Sequence, residues 1–474
     1  IRDLHLQSKL ARRVRPGDGA AQPDVKDDVR QGHGPQFVGA GGKSATRPGP
    51  LRTLREATKS DMTATQTIEA QCCVTGGGPA GMMLGLLLAR AGVDVVVLEK
   101  HADFLRDFRG DTIHPSTLDV MSELGVLEEF LQQPHQRVTR LAGKVGDATV
   151  TVADFTRLRA RCRFLAFMPQ WEFLSFLARQ AARVPNFRLL MQATVEDVLW
   201  DGDRVAGIRA ATPDGALEVR ALLTVAADGR GSVVRDRAGL DVIDVGAPMD
   251  VLWLRFSKRE SDPHDTFGYV RDGRILALID RGDYWQSAYV IPKGAAAGMR
   301  ERGLPAFRDE IGQTVPFLRD RLDEIAEWDD VRLLTVRVDR LRRWYRAGLL
   351  CLGDAAHAMS PIGGVGINLA IQDAVAAANA LAPELRTGRC NVRTLRRVQR
   401  RREFAARVTQ ALQVLIGRHV IGRVLLTGNS PVLRAVPALV ERLPFLTRIP
   451  GRLVGLGVRP EHLAASLVDK RRGA

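Results

Sequence analysis

The chain has 474 residues, of which 45% are hydrophobic and 26% are charged, and its formal net charge is +15. These values are typical of a globular protein of two or three domains, and they exclude fibrous and wholly disordered classes. The five cysteines form no CxxC pair, which favours reduced, mostly buried thiols and no metal site. No uncharged apolar run approaches the ~20 residues that span a bilayer, so we expect a cytoplasmic protein.

Residues 1–66 lack apolar periodicity and are rich in glycine, proline and arginine. The chain begins with Ile1, and a compact pattern starts only near Met62. We expect the working protein to begin near Met62, with a disordered or spurious extension before it. The extension lacks the continuous apolar core of a secretory signal.

The stretch from Gln71 to Glu99 predicts a nucleotide-binding strand, loop, helix and second strand. A short apolar strand over 71–75 leads into Gly76-x-Gly78-x-x-Gly81. Gly76 permits a tight turn, Gly78 lets the backbone approach a pyrophosphate, and Gly81 lets helix and strand pack closely. The helix N-terminus presents unpaired N–H groups to phosphate. Glu99 ends the second strand, where an acidic residue accepts ribose hydroxyls.

The middle of the chain alternates between helix and strand signals. Arg109 lies in a loop before a predicted helix near Ser116, and is either a pyrophosphate contact or a surface residue. Short strands over 138–165 precede an amphipathic helix after Pro169. Three strands follow, separated by turns at 201–203 and 213–215, and the last ends at Asp228.

Residues 248–292 predict a separate antiparallel sheet that is rich in aromatic residues. These aromatics are either core residues or one wall of an apolar ligand pocket, and the core interpretation is the simpler one. Residues 392–474 look mainly helical. Their basic block over 393–402 is interpreted as a solvated helix face rather than a contact for nucleic acid or membrane.

The densest apparent chemistry lies in GDAAHAMSPIGGVGINLAIQDA, residues 353–374. It offers Asp354, His357, Ser360 and several glycines, and the apolar run that begins at Asn368 predicts a helix. Three interpretations compete: a nucleophile with its base, a second nucleotide loop, or part of a site begun elsewhere. The second is weakened by position, because the glycines come too long after the strand that ends at Leu352.

Three motifs occur in order: GGGPAG with Glu99, AADGRGSVVR at 226–235, and GDAAHAMSPIGGVGIN at 353–368. Together they resemble the p-hydroxybenzoate hydroxylase-like FAD-dependent aromatic hydroxylases, over roughly residues 68–390. The resemblance implies an α/β, glutathione-reductase-type Rossmann-like fold with an inserted antiparallel-sheet substrate domain and a helical C-terminal segment.

The implied domain bounds are 67–137, 167–245 and 340–390 for the FAD-binding domain. The substrate domain would comprise 138–166 and 246–339, and the helical segment 391–474.

The resemblance also implies roles for individual residues. The pyrophosphate loop would be Gly76, Gly78, Pro79, Ala80 and Gly81, with Glu99 and Lys100 at the ribose and Arg109 near the phosphates. Further expected cofactor contacts are Gln170 on the flavin side, Asp228, Gly229, Gly353, Asp354 at the ribityl chain, Pro361, and the flavin-edge loop Gly364, Val365, Gly366, Ile367 and Asn368. Pro361 and His357 are weak catalytic candidates, and His357, which has no identified partner acid or base, is read mainly as structural.

The implied reaction uses NAD(P)H to reduce FAD, and a flavin C4a-hydroperoxide then transfers oxygen from O₂ to an aromatic or other electron-rich small molecule. Alternatives are a reductase or hydroxylase of an isoprenoid or quinone-like lipid, a flavin halogenase, and a non-catalytic prenyl-protein-binding relative. We expect an aromatic or apolar substrate, no nucleic acid, and peripheral membrane contact through the C-terminal segment.

Overall fold

The structure is a computed structural model that describes residues 65–105, 112–263, 267–427, 438–440 and 442–468. The described residues belong to one compact unit of mixed α/β structure. The prediction of a disordered or spurious extension falls mostly on residues 1–64, outside these ranges, and so does the contact predicted for Arg109.

The strands follow the predicted pattern of a nucleotide fold interrupted by antiparallel segments. In chain order they are β1 (Gln66–Thr75), β2 (Val95–Leu98), β3 (Thr112–Ile113), β4 (Gln136–Val138), β5 (Arg140–Val145), β6 (Ala148–Asp154), β7 (Leu165–Phe167), β8 (Phe187–Leu190), β9 (Thr194–Asp201), β10 (Arg204–Thr212), β11 (Gly215–Ala226), β12 (Val242–Asp244), β13 (Met249–Ser257), β14 (Phe267–Arg271), β15 (Arg274–Asp280), β16 (Tyr284–Pro292), β17 (Arg332–Leu334), β18 (Asp339–Leu341), β19 (Tyr345–Arg346) and β20 (Leu349–Cys351).

The α-helices lie between the strands and dominate the C-terminal part. They are α1 (Pro79–Arg90), α2 (Pro115–Glu123), α3 (Leu127–Leu131), α4 (Gln170–Ala181), α5 (Val233–Arg237), α6 (Ala296–Glu301), α7 (Leu304–Thr314), α8 (Val365–Leu385), α9 (Val392–Ile416), α10 (Gly422–Thr427), α11 (Arg448–Gly455) and α12 (Ala465–Val468). Short 3₁₀ turns span Pro316–Glu324, Gly353–Ala355, Ile362–Gly364 and Pro444–Thr447.

The first sheet has the order β19-β20-β11-β1-β2-β8, with β10 and β9 attached beside β11. β1 runs parallel to both β2 and β11, and β20 runs parallel to β11. The run Cys72–Thr75 is fully buried, as expected for a parallel strand covered on both faces. Helix α1 packs against α8 and α4, and its residues Ala80–Ala89 are buried. The predicted strand–loop–helix–strand unit is therefore present.

The second sheet has the order β17-β13-β16-β15-β14-β5-β6. One face carries Phe256, Trp285 and Tyr289, which pack with α7 and the turn Pro316–Glu324. The core interpretation is correct for these aromatics. The opposite face carries Trp253 among aliphatic residues.

The C-terminal helices close the unit beside α8. In the basic block of α9, Arg393, Arg396, Arg397, Arg400 and Arg401 are exposed, which agrees with a solvated face. Arg402 departs from that interpretation, because its side chain is buried and paired. One helix, Ile362–Leu385, is long and apolar enough to cross a membrane, but 72% of its most apolar window is buried inside the protein.

Candidate cofactor site

The three glycines of the first motif differ in whether a side chain could be accommodated at each position. Gly76 has φ +96°, and a Cβ there would lie 2.4 Å from the Ala227 carbonyl oxygen. A Cβ on Gly81 would lie 2.0 Å from the Gly76 carbonyl oxygen. A Cβ on Gly78 would meet nothing within 4 Å. Gly76 and Gly81 are thus fixed by packing, whereas Gly78 borders open space at the start of α1.

The N-terminus of α1 offers free donors to that space. Gly78 caps the helix without a side-chain hydrogen bond, and Pro79 lacks an N–H. The first-turn amides, including those of Ala80 and Gly81, have no intrahelical partner. Glu99 Oε2 accepts from the Gly77 amide at 2.9 Å and so fastens the loop to the end of β2. Lys100 follows on the surface.

The second motif follows β11 at the same edge of the sheet. Gly229 has φ +87°. Asp228 Oδ2 accepts weakly from the Val234 amide at 3.4 Å, while its Oδ1 is buried without a partner among the described residues. Burial raises the pKa of Asp228 although the Ser232 hydroxyl and nearby amides oppose that effect. The second motif therefore leaves one carboxylate oxygen available to a ligand.

Arginines of the second motif hold it to the third. Arg230 Nε donates to Asp354 Oδ2 at 3.0 Å. Arg235, which is buried, donates to the Arg230 carbonyl at 2.9 Å and to the Ala355 carbonyl at 3.4 Å. The third motif in turn touches the first, since a Cβ on Gly353 would lie 3.3 Å from Ala80 Cβ. All three motifs converge.

His357 has a partner, contrary to the expectation from sequence. Its Nε2 lies 2.6 Å from Asp373 Oδ2, and both side chains are almost fully buried. Asp373 also accepts from Arg402 Nε at 2.9 Å and from the Gly353 amide at 3.2 Å. Arg402 continues the network to Glu461 at 3.2 Å. This burial supports the structural interpretation of His357, and a role as an exposed catalytic base is not supported.

Helix α8 begins at Val365, three residues before the predicted start at Asn368. Pro361 leads into a turn in which Gly363 and Gly364 have φ +77° and +62°. Gly364 caps the helix without a side-chain hydrogen bond, so the amides of Val365, Gly366 and Ile367 form its free first turn. This places a helix N-terminus, with its positive dipole end, at the predicted flavin edge.

The Asn368 side chain is used within the protein. It is buried, and its Oδ1 accepts from the His114 amide and the Thr117 hydroxyl, each at 2.8 Å. Its Nδ2 donates to the Thr112 carbonyl at 2.9 Å. Only its backbone is left to serve the loop.

Helix α9 positions the third motif from behind. Gln413 Nε2 donates to the carbonyls of Ser360 and Ile362 at 2.9 and 2.8 Å, and its Oε1 accepts from the Ser360 amide at 3.1 Å. Gln410 donates to the Ala358 carbonyl at 3.0 Å. Residue 413 lies far outside the motifs, so no sequence signal pointed to this contact.

Gln170 and Arg109 are the two remaining predicted contacts. Gln170 is half-buried at the first position of α4, just after β7, and β7 pairs with β3. Arg109 lies outside the described residues. The structural residues that sequence reasoning missed are Arg230, Arg235, Thr112, His114, Asp373 and Gln413, of which the two arginines lie inside the quoted second motif.

The arrangement fits a long, anionic dinucleotide. Helices α1 and α8 both begin with free first-turn amides, and Gly78 leaves room for phosphate at the start of α1. The partnerless Asp228 Oδ1 and the half-exposed Asp354 offer hydrogen-bond acceptors between them. Within the described residues, no group of three or more metal-ligating side chains occurs.

Comparison with known proteins agrees with this chemistry. Residues 69–412 match the family of the FAD binding domain. The chain belongs to that family. It is 34% identical, over 78% of this chain and 89% of the relative, to the 6-methylpretetramide 4-monooxygenase of Streptomyces rimosus. A 12-dehydrotetracycline 5-monooxygenase/anhydrotetracycline 6-monooxygenase of the same species is 29% identical, over 64% of this chain and 60% of that protein.

The fold is also that of solved FAD enzymes. OxyS anhydrotetracycline hydroxylase from Streptomyces rimosus superposes with a TM-score of 0.65 at 24% identity, over 83% of this chain and 77% of that one. The chain is an FAD-dependent monooxygenase of the aromatic hydroxylase class, and it is therefore an oxidoreductase.

Proposed function

We propose that the three converging motifs form one FAD site, in which α1 binds the pyrophosphate, Asp354 the ribityl chain and the start of α8 the flavin edge. The observation that carries this proposal is the contact of Gly353 with Ala80, which joins segments more than 270 residues apart. Asp228 and Gly229 complete the site between the two ends. The stretch 353–374 is thus one half of a single site, not an independent nucleophile.

When bound, FAD supplies the redox chemistry. The protein's own part is to bind, orient and exclude water. The free amides at the start of α8 stabilise negative charge on the adjacent ring edge, because they are already aligned before that charge forms. Gly363 and Gly364 have φ +77° and +62°, which residues with a Cβ rarely adopt, so they allow the tight turn that sets the start of α8.

We propose that the substrate is an aromatic or other electron-rich apolar molecule held beneath the second sheet. The sheet face that turns toward α9 carries Trp253 and Ala288, with Ala277 and Ile279 half-buried beside them. Pro248, directly before β13, and Ile362 of the third motif both lie near Gly417, since a Cβ on Gly417 would lie 3.1 Å from Pro248 and 3.8 Å from Ile362. Apolar and aromatic side chains of this kind line most pockets for small molecules.

A finer division into domains is part of the same proposal. We propose that 67–137, 167–245 and 340–390 form the Rossmann-like FAD-binding domain. Residues 138–166 and 246–339 would form the substrate domain, which is supported by the pairing of β5 with β14 in one sheet. Residues 391–474 would be the helical segment that backs the third motif.

The test is spectroscopic. The purified protein is expected to be yellow, and NADH or NADPH should bleach it under anaerobic conditions. A panel of phenols, quinones and heteroaromatics is then scored by stimulated NAD(P)H oxidation. Protein that stays colourless after incubation with FAD would contradict the proposal. Oxygen uptake matched to hydroxylated product distinguishes a hydroxylase from a reductase, and bound flavin that is never reduced would favour a non-catalytic relative.

We propose that the enzyme is cytoplasmic and contacts an acidic membrane surface through its C-terminal segment. Phe445, Ile449 and Leu453 recur every four residues and are 53%, 57% and 37% exposed. The other side of α11 is anchored, because a Cβ on Gly451 would lie 2.2 Å from the Asp154 carbonyl oxygen. Residues 442–460 contain four arginines and no acidic residue. An apolar stripe beside Arg442, Arg448 and Arg452 suits anionic lipid headgroups.

Vesicle sedimentation tests this contact. Wild-type protein should pellet with phosphatidylglycerol-containing vesicles and not with pure phosphatidylcholine, and salt should release it. Ile449→Asn together with Leu453→Asn should abolish pelleting, whereas Val242→Asn, at another exposed apolar site, should not. Equal recovery in the supernatant with both vesicle types would contradict the proposal.

A further inference from the structure

Three distant segments meet at His114, whose side chain is fully buried. Its Nδ1 lies 2.7 Å from the Val454 carbonyl oxygen, just at the end of α11. Its Nε2 lies 3.1 Å from the Thr112 hydroxyl oxygen. That hydroxyl is in turn 3.2 Å from the Gly364 carbonyl oxygen, in the turn before α8. A chain of polar contacts therefore runs from the C-terminal segment to the predicted flavin edge.

The hydrogen-bond partners of His114 determine which nitrogen of its imidazole carries the proton. The Val454 carbonyl can only accept, so the proton of the neutral imidazole sits on Nδ1. Burial lowers the pKa of His114 to about 4, and the hydrogen bond to Val454 only partly opposes this. At neutral pH, Nε2 is consequently an acceptor. The Thr112 hydroxyl has one hydrogen and two acceptors, Nε2 and the Gly364 carbonyl.

The turn at Gly364 depends on these neighbours for its position. Gly364 has φ +62° and no side chain to anchor it, and a Cβ there would lie 2.4 Å from Thr112 Oγ1. The side-chain Nδ2 of Asn368 reaches the Gly364 carbonyl only at 3.4 Å. Thr112 therefore makes the shortest side-chain contact with this carbonyl among the described residues. Any shift of the turn also moves the free amides of Val365 and Gly366.

We propose that His114 is a positioning residue that, through the Thr112 hydroxyl, sets the hydrogen bonding and position of the Gly364 turn and so tunes the flavin environment. Val454 takes part by fixing which ring nitrogen carries the proton. The inference rests on the proposed FAD site, and it gives the C-terminal segment a part in that site.

Paired substitutions test the contact of His114 with Val454 and its contact with Thr112 separately. Thr112→Val removes the hydroxyl at nearly constant volume, and Thr112→Ser keeps it. His114→Asn places an amide nitrogen where Nδ1 stood, so it retains the Val454 contact and loses Thr112. His114→Gln reaches the position of Nε2, so it retains Thr112 and loses Val454. Thr194→Val, exposed on β9, is the matched control.

The readouts are the FAD dissociation constant, the flavin absorption spectrum and the flavin midpoint potential. Thr112→Val removes the hydrogen bond to the Gly364 carbonyl and should raise the dissociation constant about 2- to 10-fold, the scale of one hydrogen bond. His114→Asn leaves the Thr112 hydrogen to the Gly364 carbonyl alone, so it should shift the spectrum and potential in the opposite direction. The double variant should match Thr112→Val, and Thr112→Ser and His114→Gln should restore wild-type spectra.

Lower thermal stability with unchanged flavin spectrum, potential and affinity would overturn the positioning role alone. Wild-type protein that binds no FAD would overturn the proposed function and this inference with it.

Discussion

Replacing Asp373 with asparagine should destabilise the protein and release FAD. Asp373 is completely buried and accepts from His357, Arg402 and the Gly353 amide. Those two basic partners hold the pKa of the carboxyl below its usual range despite the opposing effect of burial. Asparagine keeps the volume but removes the charge and one acceptor oxygen.

The magnitude follows from the buried ion pair. Removing one partner of a buried pair costs about 3–5 kcal/mol, because the other charge is left uncompensated. If the roughly 400 described residues each carry an unfolding entropy of about 2.1 cal/mol/K, Tm should fall by about 4–6 °C. FAD retention should fall as well, since the Gly353 amide and His357 lie on either side of Asp354.

Differential scanning fluorimetry and the flavin absorbance retained after gel filtration measure the two effects. Asp323→Asn is the matched control, because that side chain is 98% exposed in its pair with Arg308 and its loss should move Tm by less than about 1 °C. An Asp373→Asn protein with the Tm and FAD content of the wild type would refute the reasoning. A double variant with Arg402→Met should lose less than the two single changes together.

The other predictions concern the loops and one buried ion pair. Gly81→Ala should prevent folding of the FAD domain, because its Cβ overlaps the Gly76 carbonyl. Gly78→Ala should fold with a normal circular dichroism spectrum and bind FAD more weakly. FAD binding by Gly78→Ala that equals that of the wild type would contradict the phosphate role of Gly78. Asp354→Ala should lower FAD retention on dialysis, and wild-type retention would break the ribityl assignment. Asp262 is buried, and hydrogen bonds to Arg321 and others outweigh that burial and hold its pKa at about 2. Its contribution of about 2 kcal/mol is therefore complete above about pH 4 and lost as the pH falls toward 2; urea titrations at pH 7 and pH 3 should show a smaller difference for Asp262→Asn than for wild type.

Local sequence signals predicted the regular elements well because their causes are local. The β1–α1–β2 unit, the turns at 201–203 and 213–215, and the strands over 248–292 all appear as predicted. Each depends on apolar periodicity and turn residues within a few positions. The start of α8 was missed by three residues, because Gly364 caps it in a left-handed conformation that no capping side chain announces.

The partners of the buried charges could not be predicted. His357 pairs with Asp373 only because the loop after β20 folds back over α8, and Arg402 is buried although it ends a run of exposed arginines. The alternation of β13 placed Trp253 and Phe256 on opposite faces, as strand geometry requires. The alternation did not show which face of the second sheet would pack against the turn Pro316–Glu324. Nor did it show which face would pack against α9.

From the sequence alone, the glycine loop, helix and second strand indicated a nucleotide site, and the resemblance of three short motifs to a known family implied FAD. These signals could be recognised because each lies in one short contiguous segment. Only the tertiary structure decided how the motifs form one site. The contact of Gly353 with Ala80, the hold of Gln413 on Ser360 and the contacts around His114 join residues 50 to 340 positions apart. Such contacts depend on how helices pack on a sheet. The free energy of that packing comes from residues throughout the core, so no single segment of the sequence predicts it.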